Sequence, residues 1–322
     1  MSTVLVLSDA DVRAVLDMKS CIDAMEGALA SLERGETTMP LRFVVRPPAD
    51  ELLGLMPAHR GGAAPLFSLK EIVIAPANSA RGLDPHQGAV LLHDGTTGQL
   101  RAMLNASAVT EIRTAAVSGL ATRLLARPSS RRVTILGTGV QGRSHVHAMQ
   151  AVLDEPELRI WSRTPAHAEA LALECHGHVC ESVEEALADA DVVCTCTSAR
   201  EPIVRREWLA PGTHVNAVGS SVPAARELDA RVVADASLFV DRRESTLNES
   251  GDYLLAAQEL GIGPDHIRAE LGELLVGAAT GRSSSEELTL FKSLGLAVED
   301  LAAAELCVAR AREAGIGVEV PF

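Results

Sequence analysis

Three glycines carry the clearest chemical signal in this chain, in Gly137-Thr138-Gly139-Val140-Gln141-Gly142. The loop follows the apolar run Val133-Thr134-Ile135-Leu136 directly and opens a stretch of helical spacing, the context in which G-x-G-x-x-G carries chemistry. The first glycine permits a tight turn, the second lets the backbone approach a pyrophosphate, and the third lets the helix lie close to the strand. The helix N-terminus then offers unpaired N–H groups to phosphate. Gly137, Gly139, Val140 and Gln141 are therefore expected to bind a dinucleotide; the bland alternative is a glycine turn with no ligand. One strand later, an acid would grip the ribose 2′-hydroxyl of NAD. Here Leu158-Arg159-Ile160-Trp161 runs into Ser162-Arg163-Thr164, with no carboxylate. Arg163 can pair with a 2′-phosphate through its planar donors, helped by the two hydroxyls, which favours NADP(H). Stacking of Arg163 on the adenine of NAD(H) is the alternative.

A second set of residues is cationic. Arg42, Lys70 and Arg113 interrupt runs that otherwise read as buried or half-buried. A buried ammonium is costly unless it meets an anion. That anion is either a ligand or a neighbouring acid, such as Glu71 for Lys70 or Glu111 for Arg113.

The elements that must position these residues fall into two rhythms. Apolar residues recur at helical spacing over 9–34, with Ser8 or Asp9 as a cap and Gly35 as a stop. Strand-like runs follow at 42–46, 52–56, 67–75 and 89–93, separated by Pro47-Pro48, Gly61-Gly62, Arg81-Gly82 and Asp94-Gly95. This pattern predicts an α+β unit with a mostly antiparallel sheet. An Ala-rich helix is expected over 107–126. Beyond it, strands at 132–136, 158–161, 192–196, 214–218 and 238–240 alternate with helices starting near Gln141 and over 165–175. That alternation predicts a Rossmann-type, doubly wound parallel α/β sheet. The segment 181–188 reads as a short acidic helix with a solvated face. An amphipathic helix over 294–313 could pack back on the first unit. The expected domains are 1–120 with 299–322, and 121–298.

Composition narrows the partners. Aromatic residues make up 2% of the chain, too few for stacking single-stranded nucleic acid, and the net charge of -14 repels phosphate backbones and anionic membranes. Nucleic acid and membrane are not expected as partners. The first residues lack a signal-peptide pattern and no apolar run reaches membrane length. The cysteines, Cys21, Cys175, Cys180, Cys194, Cys196 and Cys307, have irregular spacing. Cys194 and Cys196 read as core side chains on one strand face, and His145 and His147 do not share a helix face, so no metal site is expected. A reduced cytosol is the expected location.

Five motifs then occur in a familiar order: Leu53-Gly54-Leu55-Met56-Pro57-Ala58, Arg113-Thr114-Ala115-Ala116, Gly137-Thr138-Gly139-Val140-Gln141, Arg226-Glu227-Leu228-Asp229 and Phe291-Lys292-Ser293-Leu294-Gly295. Over nearly its whole length the chain resembles the ornithine cyclodeaminase/mu-crystallin family. The resemblance implies a homodimer that pairs through the sheets of the first domains, with the C-terminal helix returning to that domain and the active site in a cleft facing the nicotinamide. It implies that Arg42, Lys70 and Arg113 hold a substrate carboxylate, with the lysine near the reacting carbon and nitrogen, and it adds Thr114, Thr197 and Lys292 to the cofactor set. Cyclodeaminases carry an aspartate two residues after the glycine matching Gly219, where this chain has Ser221, and a glutamate where it has Gly54. Without those carboxylates an ornithine side-chain amine loses a base and a counter-charge. The expected reaction is NAD(P)H-dependent reduction of a cyclic ketimine bearing a carboxylate, of pyrroline-2-carboxylate or piperideine-2-carboxylate type. The alternatives are an NAD-dependent ornithine cyclodeaminase or amino-acid dehydrogenase, and a non-catalytic NADP-dependent binding protein. Ser221 would hydrogen-bond the reacting nitrogen or cap a turn.

Overall fold

The computed structural model describes residues 3–48 and 51–322; Met1 and Ser2, where the signal-peptide reading begins, lie outside them. The chain divides into two compact units, Met1–Arg113 with Leu296–Phe322, and Thr114–Gly295.

The chain opens with β1 (Thr3–Leu7), α1 (Asp9–Val15), α2 (Met18–Glu33), β2 (Thr37–Thr38), β3 (Phe43–Val45), β4 (Leu52–Arg60), β5 (Leu66–Ile74), β6 (His86–Asp94), β7 (Leu100–Asn105) and α3 (Ala106–Leu125). Next come β8 (Arg132–Leu136), α4 (Val140–Val152), β9 (Glu157–Trp161), α5 (Pro165–Cys175), β10 (His178–Val179), α6 (Val183–Leu187), β11 (Val192–Thr195) and β12 (His214–Ala217). Then follow α7 (Ala230–Asp235), β13 (Ser237–Val240), α8 (Arg243–Glu249), α9 (Gly251–Leu260), β14 (Ile267–Glu270), α10 (Leu271–Leu275) and β15 (Thr289–Lys292). The chain closes with α11 (Ala297–Ala314) and β16 (Val318–Pro321).

In the first unit the strand order is β16-β1-β7-β6-β5-β4-β2, with β3 also on β4. Every pairing is antiparallel except β1 with β7, in line with the expected α+β unit. Strand alternation sorts β5 cleanly: Leu66, Ser68, Lys70 and Ile72 are buried, while Phe67, Glu71 and Val73 face outward. Helix α11 packs on β4, β5 and β6, and against α2. It covers the face that carries Lys70.

One expected element is corrected. The 9–34 helix is two helices, because the chain leaves helical geometry at Leu16 and Asp17 starts α2 by accepting the Ser20 N–H at 3.0 Å. Ser8 caps α1 in a capping box with Asp11.

In the second unit the order is β10-β9-β8-β11-β12-β15-β13-β14, all parallel. Its first five strands, counted along the chain, run 3-2-1-4-5, the Rossmann order. The direction of strand addition reverses between β8 and β11, and ligands bind beyond the carboxyl ends of strands at such a switch point. The core gathers Leu136, Val193, Val215, Leu228, Val240, Leu290 and their neighbours. The acidic segment at 181–188 is the expected short helix with a solvated face: Glu181, Glu184 and Glu185 are exposed, Ser182 and Glu185 cap α6, and only Ala186 and Leu187 turn inward. Among the described residues, no helix is long and apolar enough to cross a membrane.

Candidate active site

The glycine loop sits where β8 hands over to α4, at the switch point. Gly137 has φ +102°, and a Cβ there would approach the Cys196 carbonyl oxygen to 2.5 Å. A Cβ on Gly142 would run into the Gly137 carbonyl oxygen, so helix and loop touch through bare backbone. Gly139 differs from both: a Cβ there would meet nothing within 4 Å. Gly139 is also the N-cap of α4 and makes no side-chain cap. Beside it, Gln141 Oε1 is buried with no hydrogen-bond partner among the described residues. An open middle glycine, an uncapped helix start and a spare buried acceptor suit a pyrophosphate and its ribose. Past β9, Ser162 is half-buried, and Arg163 and Thr164 are exposed.

The carboxyl ends of β11 and β12 are tied by a residue whose role sequence reasoning missed. Glu227 accepts the Thr195 hydroxyl (2.6 Å), the Thr197 amide and hydroxyl (both 2.7 Å) and the Gly219 amide (2.7 Å). Burial pushes the Glu227 carboxyl up, Asp252 adds to that, and the hydroxyl donors oppose it. Asp252 in turn accepts the amides of Glu227 and Leu228, and pairs with Lys292 at 2.9 Å. Thr197 and Lys292, expected on the cofactor, thus hold the walls of the site through internal partners. Thr114 is buried at the start of this unit, and Ser221 is exposed in the loop after β12.

The cation set is assembled in the first unit. Lys70 Nζ lies 3.1 Å from Asp300 Oδ1 and 2.8 Å from Oδ2. Arg113 donates from Nε to Asp300 Oδ1 and from Nη1 to Glu299 Oε2, both at 2.9 Å. All four residues are buried. The charge of Arg42, just ahead of β3, also acts on Lys70. Burial pulls Lys70 down to about 8, Asp300 pulls it back up, and Arg113 and Arg42 push it down. Burial would raise the Asp300 carboxyl, but Arg113 and Lys70 hold it below its ordinary value.

The neighbouring acids suggested by the sequence are corrected. Glu71 follows Lys70 on a strand and points to the opposite face, while Glu111 lies two residues from Arg113 on a helix and bonds Arg13 instead, at 2.6 Å. The partners come from α11. Glu299 and Asp300 occupy its first turn, where acids are ordinary because they complement the helix dipole. Only their flanking by Ala297, Val298 and Leu301, all buried, could have marked them as inward-facing.

The other candidates settle simply. All six cysteines are free. His145 is buried between Ser118 and Gln141, held neutral by burial with its pKa down to about 4, and His147 is exposed. His178, Cys180 and Glu185 bring three potential donors within 4.8 Å, but Glu185 already accepts the Glu181 amide as part of the α6 cap.

A Rossmann sheet with an open phosphate loop, joined to an α+β unit that buries a lysine–arginine pair on two acids, defines a nicotinamide-dinucleotide enzyme scaffold. The family model for the ornithine cyclodeaminase/mu-crystallin family matches residues 2–315. The chain belongs to that family. It is 43% identical to the ketimine reductase mu-crystallin of Mus musculus over 292 residues, covering 88% of this chain and 90% of that protein. The structure of Thermococcus litoralis Delta(1)-pyrroline-2-carboxylate reductase in complex with NADH and L-proline is similar, with TM-score 0.93 and 35% identity, covering 98% of this chain and 100% of that one. An archaeal alanine dehydrogenase dimer with bound NAD matches with TM-score 0.94 and 30% identity, over 100% of both chains.

Proposed function

We propose that the protein reduces small cyclic ketimines that carry a carboxylate, of pyrroline-2-carboxylate or piperideine-2-carboxylate type, to cyclic amino acids. The observation that carries this reading is Lys70, a buried ammonium held by Asp300 beside Arg113, with burial bringing its proton within reach of neutral pH. The names of the mouse and Thermococcus relatives support it. The first unit binds substrate and the second binds cofactor. Arg42 and Arg113 hold the substrate carboxylate and so fix the ring. When bound, the nicotinamide cofactor supplies a hydride to the imine carbon. Lys70 gives its proton to the imine nitrogen as the C=N π pair becomes the nitrogen lone pair, and recovers a proton from solvent. Ser68, on the same strand face as Lys70, keeps a buried hydroxyl oxygen without a partner among the described residues and can hydrogen-bond the substrate. Ser221 carries no charge where cyclodeaminases have aspartate, which disfavours ornithine cyclisation.

NADP(H) is the favoured cofactor, on the chemistry of Arg163, although the two solved relatives hold NADH and NAD. A homodimer is the favoured assembly. The sheet face opposite Lys70 leaves Phe67 (47%), Val73 (41%) and Met103 (38%) exposed, with Phe43 and Val45 of the adjoining strand more exposed still. An apolar face of this kind marks an association surface. Six free thiols suit a reducing cytosol.

The test follows NADPH absorbance with each cyclic imine, against NAD+ with ornithine. Oxidation of NADPH by the imine is expected, without turnover of ornithine. Lys70→Met should lower kcat by roughly 100-fold or more, the range for losing a general acid, while NADPH binding stays intact. Full activity in that variant would remove Lys70 from the chemistry.

A further inference from the structure

Lysine is almost absent from this chain. Three of the 29 basic residues are lysines, Lys19, Lys70 and Lys292, and the rest are arginines. Lys70 and Lys292 are buried and each faces a buried aspartate. Arginine keeps its proton at any working pH, whereas a buried ammonium can release one. Lys70 is held where such release is possible: its strand neighbours in register are Met56 and Val90, and Leu66 and Ile72 share its face. Nothing apolar there stabilises a charge.

We propose that Asp300 is a positioning residue that keeps the Lys70 ammonium protonated and aimed, while fixing Arg113 beside it. This rests on the reading of Lys70 as the proton donor in imine reduction. The geometry is specific. Asp300 Oδ1 bridges the two cations, taking Lys70 Nζ at 3.1 Å and Arg113 Nε at 2.9 Å, and Oδ2 faces Lys70 at 2.8 Å. Asp300 is itself set by the first turn of α11, where its amide bonds Leu296 O at 3.4 Å and Glu299 accepts the Leu296 amide at 3.1 Å. The charged groups around Lys70 are Asp300 and Glu299 of α11, Arg113 of α3, and Arg42 ahead of β3; Cys21 of α2 and Cys307 of α11 are thiols that burial keeps protonated. Asp300 bonds Lys70 directly, whereas Glu299 bonds Arg113. Without Asp300, burial and two guanidinium charges would all favour the neutral amine. The proton would then be gone before substrate arrived.

The three lysines make the experiment direct. In the full-length protein labelled with 13C-lysine, NMR should show three side-chain signals, with that of Lys70 identified by its loss in Lys70→Arg. The Lys70 midpoint should lie below the ordinary lysine value, and in Asp300→Asn it should fall further, by roughly 1 to 3 pH units, the range for losing an adjacent opposite charge. Glu299→Gln should move it less, and Asp300→Glu should restore most of it. The high-pH limb of kcat for imine reduction should move down in parallel in Asp300→Asn. An unchanged midpoint in Asp300→Asn, or an equal shift in Glu299→Gln, overturns the proposal. Should Asp300→Asn not fold, the wild-type protein labelled with both 13C-lysine and 13C-aspartate still decides: the Asp300 carboxyl carbon must respond at the Lys70 midpoint, and silence there overturns it. These titrations need no substrate, so they stand even if imine reduction fails, and imine reduction with an unmoved limb defeats only the role of Asp300.

Discussion

At the residue scale, the site is a small set of charges whose partners decide what each can do. Lys70 and Arg113 share Asp300, and breaking a buried pair of this kind costs on the order of 3–5 kcal/mol because the remaining charge is left uncompensated. Arg113 therefore has a structural task as well as the carboxylate-binding one proposed for it. Arg163 is the opposite case, exposed beyond the end of β9. Its proposed partner is a 2′-phosphate, so Arg163→Asp should weaken NADPH binding by roughly tenfold or more while NADH binding changes little, with Tm unaffected. Fluorescence titration of both cofactors reads this out, and an unchanged ratio of the two dissociation constants would exclude Arg163 as the selector.

At the element scale, the β8–α4 turn separates two uses of glycine. Gly142 is glycine because the helix must touch the loop backbone, and Gly139 stands over open space at an uncapped helix start. Gly142→Ala should thus lower Tm and weaken cofactor binding together. Gly139→Ala should leave Tm near the parent value, yet weaken dinucleotide binding by roughly tenfold, because the added methyl occupies the room a pyrophosphate needs. Calorimetry and cofactor titration on the two variants test this; native affinity in Gly139→Ala would place the pyrophosphate elsewhere. Elements read from periodicity fared unevenly. The helix at 165–175 and the strand at 132–136 match residue for residue. The strands β1, β10 and β16 were missed: β10 has two residues, too few to show a period, and β1 and β16 pair with partners far along the chain.

At the scale of the whole molecule, the outer face of the first sheet is the surface through which the proposed homodimer would form. Half-buried Pro57, Leu69 and Leu91 and exposed Met103 are aligned in register across β4, β5, β6 and β7, so the apolar residues of this face form a band rather than scattered points. Light scattering at micromolar concentration should report a dimer, and Phe67→Glu combined with Val73→Lys should convert it to a folded monomer. A monomeric wild-type chain would contradict this assembly.

What the sequence determined by itself was whatever depends on near neighbours. The glycine loop, the alternation of strand and helix, the inward position of Lys70 and the absence of an acid after β9 are all local, because turn sterics, a period of two and a period of 3.6 act over a few residues. What tertiary structure alone decided were the partners of the charges. Asp300 lies 230 residues from Lys70 along the chain, and 187 from Arg113. Glu227 reaches Thr195 across 32 residues. Strand alternation turns the adjacent Glu71 away from Lys70, and the helix turns Glu111 away from Arg113. A buried charge must find a counter-charge within a few ångströms, and only the return of α11 over β5 brings one there.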